Sequence, residues 1–173
     1  MSRAEGKPIV AVLMGSKSDL PIVDGALKVF DDFGVPYEAH AMSAHRTPSE
    51  AIEFAAKAEA NGFKVIICAA GMAAHLGGVV AAHTILPVIG IPIASEPFNG
   101  IDALLSIVQM PPGVPVAAVT AGKAGGKNAG LYAVSILALS DATLAEKLKA
   151  FRRKQTEQVL KADAELQEEL RAR

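Results

Sequence analysis

The side chains able to do chemistry are concentrated in a few short stretches rich in Gly, Ala and Ser. "SAHRTP", residues 43–48, sets His45 beside Arg46. An imidazole, with a reference pKa near ~6.5, gives and takes a proton at neutral pH. A guanidinium is a permanent cation whose planar fork fits a phosphate. "GSKSD", residues 15–19, offers the hydroxyls of Ser16 and Ser18 ahead of a helical pattern. The N–H groups and positive dipole end of a helix start hold anions. Gly15 lets the backbone turn closely there. Asp19 repels a phosphate but accepts hydrogen bonds from sugar hydroxyls. Each stretch has a plainer reading too: a helix N-cap by Ser18 or Asp19, and a solvated surface loop for the His-Arg pair. His75, in "GMAAHLGG", either meets His45 across a cleft or solvates a helix. His40 and His83 lack Gly-rich neighbours and read as structural.

Several chemistries are excluded. "AGKAGGKNAG" looks like a P-loop, but G-x-x-x-x-G-K-[ST] requires Gly where Ala121 stands and Ser or Thr where Asn128 stands. No G-x-G-x-x-G follows the first apolar run, no G-x-S-x-G elbow is present, and no Cys/His/Asp spacing suits a metal. The one cysteine, Cys68 in "VIICAA", reads as a small buried hydrophobe. A net charge of −1 without a charged block gives no footprint for nucleic acid or a membrane surface. "MSRAEGKP" runs straight into a strand-like segment and no apolar run reaches membrane-spanning length, so a cytoplasmic protein with neither signal peptide nor anchor is expected.

The elements that must position these residues follow from the apolar pattern. At 173 residues, 51% hydrophobic and 20% charged, the chain suits one domain with an aliphatic core. Five apolar runs span residues 8–15, 35–42, 63–71, 86–94 and 114–122. Four read as strands buried on both faces. The second alternates, with Tyr37, Ala39 and Ala41 against Glu38 and His40, and suits an edge. Helical patterns lie between the runs. One sets Ile22, Ala26, Val29 and Phe33 on one side and stops at Gly34. The next opens on an expected capping box, with Thr47 as N-cap, Pro48 first and Glu50 third, and ends at Gly62. "AAHLGGVVAAHT", "IDALLSIVQM" and "NAGLYAVSILAL" complete the set, the last apolar nearly all round. From residue 141 onward Leu144, Leu148, Phe151, Val159, Ala162, Leu166 and Leu170 form the stripe of one long helix, or two in line, that overhangs the domain. A neighbouring subunit is the expected cover for it.

Alternating strands and helices indicate a parallel sheet with helices on both faces, in which ligands bind outside the carboxyl ends of the strands. The segments there are "GSKSD", "SAHR", "AAGMAAH", "SEPFNG" and "AGKAGGKNAG". Taken together, the residues describe a binder of a small phosphorylated, sugar-containing molecule, with one histidine placed for proton transfer.

"MGSKSD", "SAHRTP", "AAHL", "SIVQMPPGVPV" and "GKAGGKNAG", in that order, resemble the N5-carboxyaminoimidazole ribonucleotide mutases of purine biosynthesis over nearly the whole chain. The resemblance implies a flavodoxin-like three-layer sandwich with a central parallel sheet of about five strands (core 8–140) and a C-terminal helix (141–173) packed on a neighbour in a homo-octamer. It implies an isomerase that moves a carboxylate from an exocyclic nitrogen to ring carbon C4 without metal or organic cofactor. It assigns Ser16, Ser18 and Arg46 to a 5′-phosphate and Asp19 to the ribose. Ser43 and the catalytic His45 would lie beside the imidazole, with Ala70, Gly71, Ala73 and His75 around the base and the migrating carboxylate. The family often carries Gly at the position of Met72 and Pro at that of Gly77, so Met72 is expected to narrow the pocket and Gly77 to loosen its loop. Two alternatives stand beside the mutase. One is a related branch that carboxylates aminoimidazole ribonucleotide directly with CO₂, with Lys at the position of Arg46 and no "AAHL". The other is a non-catalytic nucleotide-phosphate binding module.

Overall fold

A computed structural model describes residues 6–173. Residues 1–5, on which the expected absence of a signal peptide partly rests, lie outside the described residues. Five parallel strands form one sheet in the order β2-β1-β3-β4-β5: β1 Val10–Met14, β2 Tyr37–Ala41, β3 Val65–Gly71, β4 Val88–Ile93 and β5 Ala117–Ala118. This is the flavodoxin-like order of a doubly wound sheet, which reverses direction between β1 and β3. The helices are α1 Leu20–Phe33, α2 Pro48–Ala58, α3 Leu76–Ala81, α4 Ile101–Val108, α5 Lys123–Leu137 and α6 Ala142–Arg171.

Alternate residues of each central strand serve two cores. Val10, Val12 and Met14 point to the layer of α1 and α5, while Ala11 and Leu13 point to that of α2, α3 and α4. Because β1, β3 and β4 are covered on both faces, they are apolar without interruption. The edge position expected for β2 is found. Its alternation is reversed in sense, with Ala39 and Ala41 exposed, whereas Glu38 and His40 are half-buried, paired with each other, and His40 packs on Phe54 of α2. The fifth apolar run is not a strand buried on both faces. Its pairing is confined to Ala117 and Ala118 at the opposite edge. Pro115 has no N–H to give to a ladder.

The glycines of "GKAGGKNAG" act in packing. A Cβ on Gly126 would stand 1.9 Å from the Ile22 carbonyl oxygen, so α5 and α1 approach closely only because none is there. Helix α1 buries Val23 and Phe30 besides the expected Ala26, Val29 and Phe33, while Ile22 is half-buried. Gly34 closes it in the left-handed conformation, φ 72°. After the Asp141 cap a single unbroken helix runs over Ala142–Arg171. The Asp141 carboxylate accepts from the Thr143 and Leu144 N–H groups at 2.8 and 3.0 Å. Leu144, Leu148 and Phe151 dock on the α1–α5 core, and Lys147 Nζ donates to the Phe33 carbonyl at 2.6 Å. From Arg152 onward every residue is exposed, Val159, Leu160, Leu166 and Leu170 included.

Candidate active site

The loops after β1, β2, β3 and β4 enclose a cleft of about 590 Å³ at the carboxyl edge of the sheet. Ser16, Ser18, Asp19, Ser43, His45, Arg46, Ala70, Gly71 and Ala73 line it, as do Gly15, Ala44, Met72, Leu76, Ile93 and Ser95. Of the last six, Gly15 is expected at the turn and Met72 at the pocket; the sequence does not single out Ala44, Leu76, Ile93 and Ser95, although Ala44 and Ser95 stand in segments just past a strand end. His75 is outside the lining and reaches it through His45. "AGKAGGKNAG", one of the five segments at this edge, contributes no lining residue.

The β1 loop is a single 3-10 turn, Lys17–Asp19, leading into α1. Ser16 is the N-cap of this turn. Asp19, one of the two expected caps, stands at the N-cap position of α1, but its side chain makes no capping bond there. Ser16 Oγ accepts from the Ser18 N–H at 3.3 Å and from the Ser18 hydroxyl at 2.8 Å, and the Ser16 N–H donates to the Asp19 carboxylate at 3.0 Å. This capping box leaves the Ser16 hydroxyl proton free to point at an anion. Burial pushes the Asp19 carboxyl above its ordinary value, and the Ser16 N–H, the Ser18 hydroxyl and the Arg46 cation each pull it partly back. A Cβ on Gly15 would meet nothing closer than 3.8 Å. Gly15 therefore leaves room in the cleft and does not answer a steric demand of the turn.

The β2 loop is locked by Thr47. Its hydroxyl accepts from the Ser43 N–H at 2.9 Å and donates to the Ser43 carbonyl at 3.2 Å. The expected capping box with Glu50 does not form, because the Thr47 hydroxyl turns back to its own loop. Helix α2 still begins at Pro48, whose missing N–H needs no cap, but ends at Ala58, with Gly62 closing the turn that follows. Ser43 Oγ accepts from the His45 and Arg46 N–H groups at 3.3 and 3.2 Å. Arg46 then bridges to the next strand, donating from a terminal guanidinium nitrogen to the Gly15 carbonyl at 2.6 Å. Other guanidinium N–H groups remain available to a ligand.

His45 and His75 do meet. Nε2 of His45 lies 2.8 Å from Nδ1 of His75, with the rings nearly perpendicular at 74°. His40 lies against Phe54, and His83 Nδ1 bonds to the Val79 carbonyl. Neither lines the cleft. Cys68 is fully buried, and burial pushes its thiol up, as suits an inert hydrophobe.

The family model described as AIR carboxylase matches residues 9–158. The chain belongs to the AIR carboxylase family. Among its relatives, a Pyrococcus horikoshii protein is 52% identical over 151 residues, covering 87% of this chain and 84% of the relative. A Bacillus subtilis protein is 50% identical over 160 residues, covering 92% and 99%. Both are named N5-carboxyaminoimidazole ribonucleotide mutase, so the resemblance read from the motifs is borne out. A crystal structure of Treponema denticola PurE matches with a TM-score of 0.83 at 30% identity, covering 92% of this chain and 98% of that one.

Two positions depart from the family pattern noted above. Met72 sits at φ 55°, a conformation where glycine is free of cost and a side chain loses about 1 kcal/mol. It lines the cleft with its side chain largely exposed. Gly77 is not in a loop. It lies buried in the first turn of α3, a place that also tolerates proline.

Proposed function

We propose that this chain is an N5-carboxyaminoimidazole ribonucleotide mutase of de novo purine biosynthesis. The observation that carries this reading is the composition of one cleft. Its β1–β2 side is polar and holds Arg46, Ser16 and Asp19, while its β3 side is a wall of Ala70, Gly71 and Ala73, with the His45–His75 pair at the β2 and β3 loops.

In this mechanism Arg46, Ser16, Ser18 and the start of α1 hold the 5′-phosphate, and Asp19 accepts from the ribose hydroxyls. Ser43 lies beside the imidazole. The C–N bond to the carboxylate breaks, CO₂ departs, and the exocyclic nitrogen takes a proton from protonated His45. The small apolar wall keeps CO₂ beside C4 and away from water. C4 attacks the CO₂ carbon, forming the new C–C bond, and neutral His45 removes the C4 proton. One proton leaves His45 and one returns, so the conversion balances without an outside acid. In the singly protonated pair His75 shares the charge of the imidazolium through their hydrogen bond.

The wider proposal is a cytoplasmic homo-octamer, with α6 laid on a neighbour. The apolar residues exposed on α4 (Ile101, Leu105 and Val108) and along α6 support an assembly larger than one chain.

The test is isomerisation of the N-carboxylated nucleotide by purified protein without ATP or added metal. The family description favours one other reading, direct carboxylation of aminoimidazole ribonucleotide. That nucleotide with bicarbonate at low concentration separates the two. Turnover of it at a rate matching or exceeding the isomerisation overturns the mutase reading, and tight binding with no turnover of either nucleotide indicates a binding module.

A further inference from the structure

We propose that Ser95, beyond the end of β4, positions the substrate by donating a hydrogen bond to its migrating carboxylate. The inference rests on the mutase reading above and deepens it. Ser95 lines the cleft. Its Oγ is buried and has no hydrogen-bond partner among the described residues. Buried hydroxyls without partners are uncommon, because a lost hydrogen bond to water goes uncompensated. The same holds for one carboxylate oxygen each of Asp31 and Asp102, but neither residue lines the cleft. An unsatisfied hydroxyl in a binding cleft is accounted for if the ligand supplies the partner.

The strand order says which part of the ligand that is. Across the edge β2-β1-β3-β4, the polar side chains Ser43, Arg46, Ser16, Ser18 and Asp19 belong to the loops of β2 and β1. Beyond them, the loops of β3 and β4 and the start of α3 line the cleft with Ala70, Gly71, Met72, Ala73, Leu76 and Ile93. Ser95 provides the polar side chain on this side. Ile93 pairs in register with Gly71, and Ser95 follows two residues later, so it stands next to the small-residue wall. A nucleotide held by its phosphate and ribose at β1 points its base substituent toward that wall. Ser95 supplies the side-chain donor for a carboxylate placed there, and a serine hydroxyl has one proton to give. The neutral hydroxyl holds the carboxylate without stabilising it as strongly as a cation would, which suits a group that must leave as uncharged CO₂.

Ser95→Ala tests this. Calorimetric binding of two nucleotides is compared, 5-aminoimidazole ribonucleotide and its 4-carboxylated form. The expected result is about a tenfold loss of affinity for the carboxylated nucleotide. Affinity for the uncarboxylated one stays within about twofold, and the melting temperature of the free protein is unchanged or raised, since only an unsatisfied hydroxyl is removed. Ser95→Thr, which keeps the hydroxyl, is expected to retain the preference for the carboxylated form. Equal losses for both nucleotides, no loss for either, or a lowered melting temperature with unchanged affinities overturns the inference. If wild-type protein does not isomerise the N-carboxylated nucleotide, the mutase reading fails. If it does and Ser95→Ala matches it in both affinities, the role of Ser95 alone fails.

Discussion

His45 and His75 come from loops after different strands, yet a single 2.8 Å contact joins Nε2 of one to Nδ1 of the other. At that distance one ring nitrogen donates and the other accepts, which ties the two imidazoles together. The proposed mechanism gives the two rings unequal roles. His45→Asn is expected to lower kcat by about 10²–10⁴-fold while nucleotide binding persists, the range for loss of a general acid–base group. His75→Asn is expected to lower kcat by about tenfold with KM little changed, since it removes only the partner that shares the charge. Steady-state kinetics of both variants check this, and full activity in His45→Asn would remove it from the mechanism.

Asp19 carries a pH signature. Its folded-state pKa lies above the unfolded value because burial outweighs the favourable contacts. A raised value means that protonation favours the fold. That contribution is present below the unfolded value of about 3.9 and is lost as pH rises through the raised folded value. Asp19→Asn keeps an oxygen to accept the Ser16 N–H. It should melt above wild type at pH 7, with the difference vanishing near pH 3. Its KM should rise by about tenfold, as sugar hydroxyls lose a charged acceptor. Melting curves across that range, with kinetics at neutral pH, measure both effects.

Gly126 and Gly15 make opposite predictions from the same kind of residue. Gly126→Ala forces a methyl against the Ile22 carbonyl and should cost about 3 kcal/mol or more, read from urea unfolding. Gly15→Ala meets only van der Waals contacts beside Asp19 and Ala70. It should fold normally, with the loss falling on KM.

The exposed end of α6 should matter for assembly and little for the fold of one chain. Only its first turns touch the core, through Leu144, Leu148 and Phe151. Val159→Asp with Leu166→Asp is expected to reduce the particle mass measured by light scattering while leaving the circular dichroism of the α/β core intact. An unchanged mass would mean that this stripe is not covered by another subunit.

Much of this was legible in the sequence because the signals are local. Three uninterrupted apolar runs announce β1, β3 and β4, since a strand covered on both faces admits no polar residue. Gly34 marks the end of α1 because a left-handed residue is needed one step past the helix. Ser16, Ser18, Asp19, Ser43, His45 and Arg46 could be named as candidates because loops after parallel strands share one edge. Other features depend on contacts between distant residues. Strand order alone brings the β2 loop next to the β1 loop, so that Arg46 reaches the Gly15 carbonyl, and it sets the β3 loop where His75 meets His45. The glycines of "GKAGGKNAG" fail the phosphate-loop pattern at Ala121 and Asn128, and only the approach of α1 reveals them as a packing surface. Not every miss is long-range: Thr47 reads as a helix cap, but the Ser43 backbone, four residues back, takes its hydroxyl. Ser95 sits in an exposed-looking segment, and only the packed cleft shows its hydroxyl buried without a partner. The sequence by itself determined the elements and the candidate loops, because helix caps and strand runs are set by near neighbours. Tertiary structure decided which side chains share the cleft, because that depends on strand order and close packing between segments far apart in the chain.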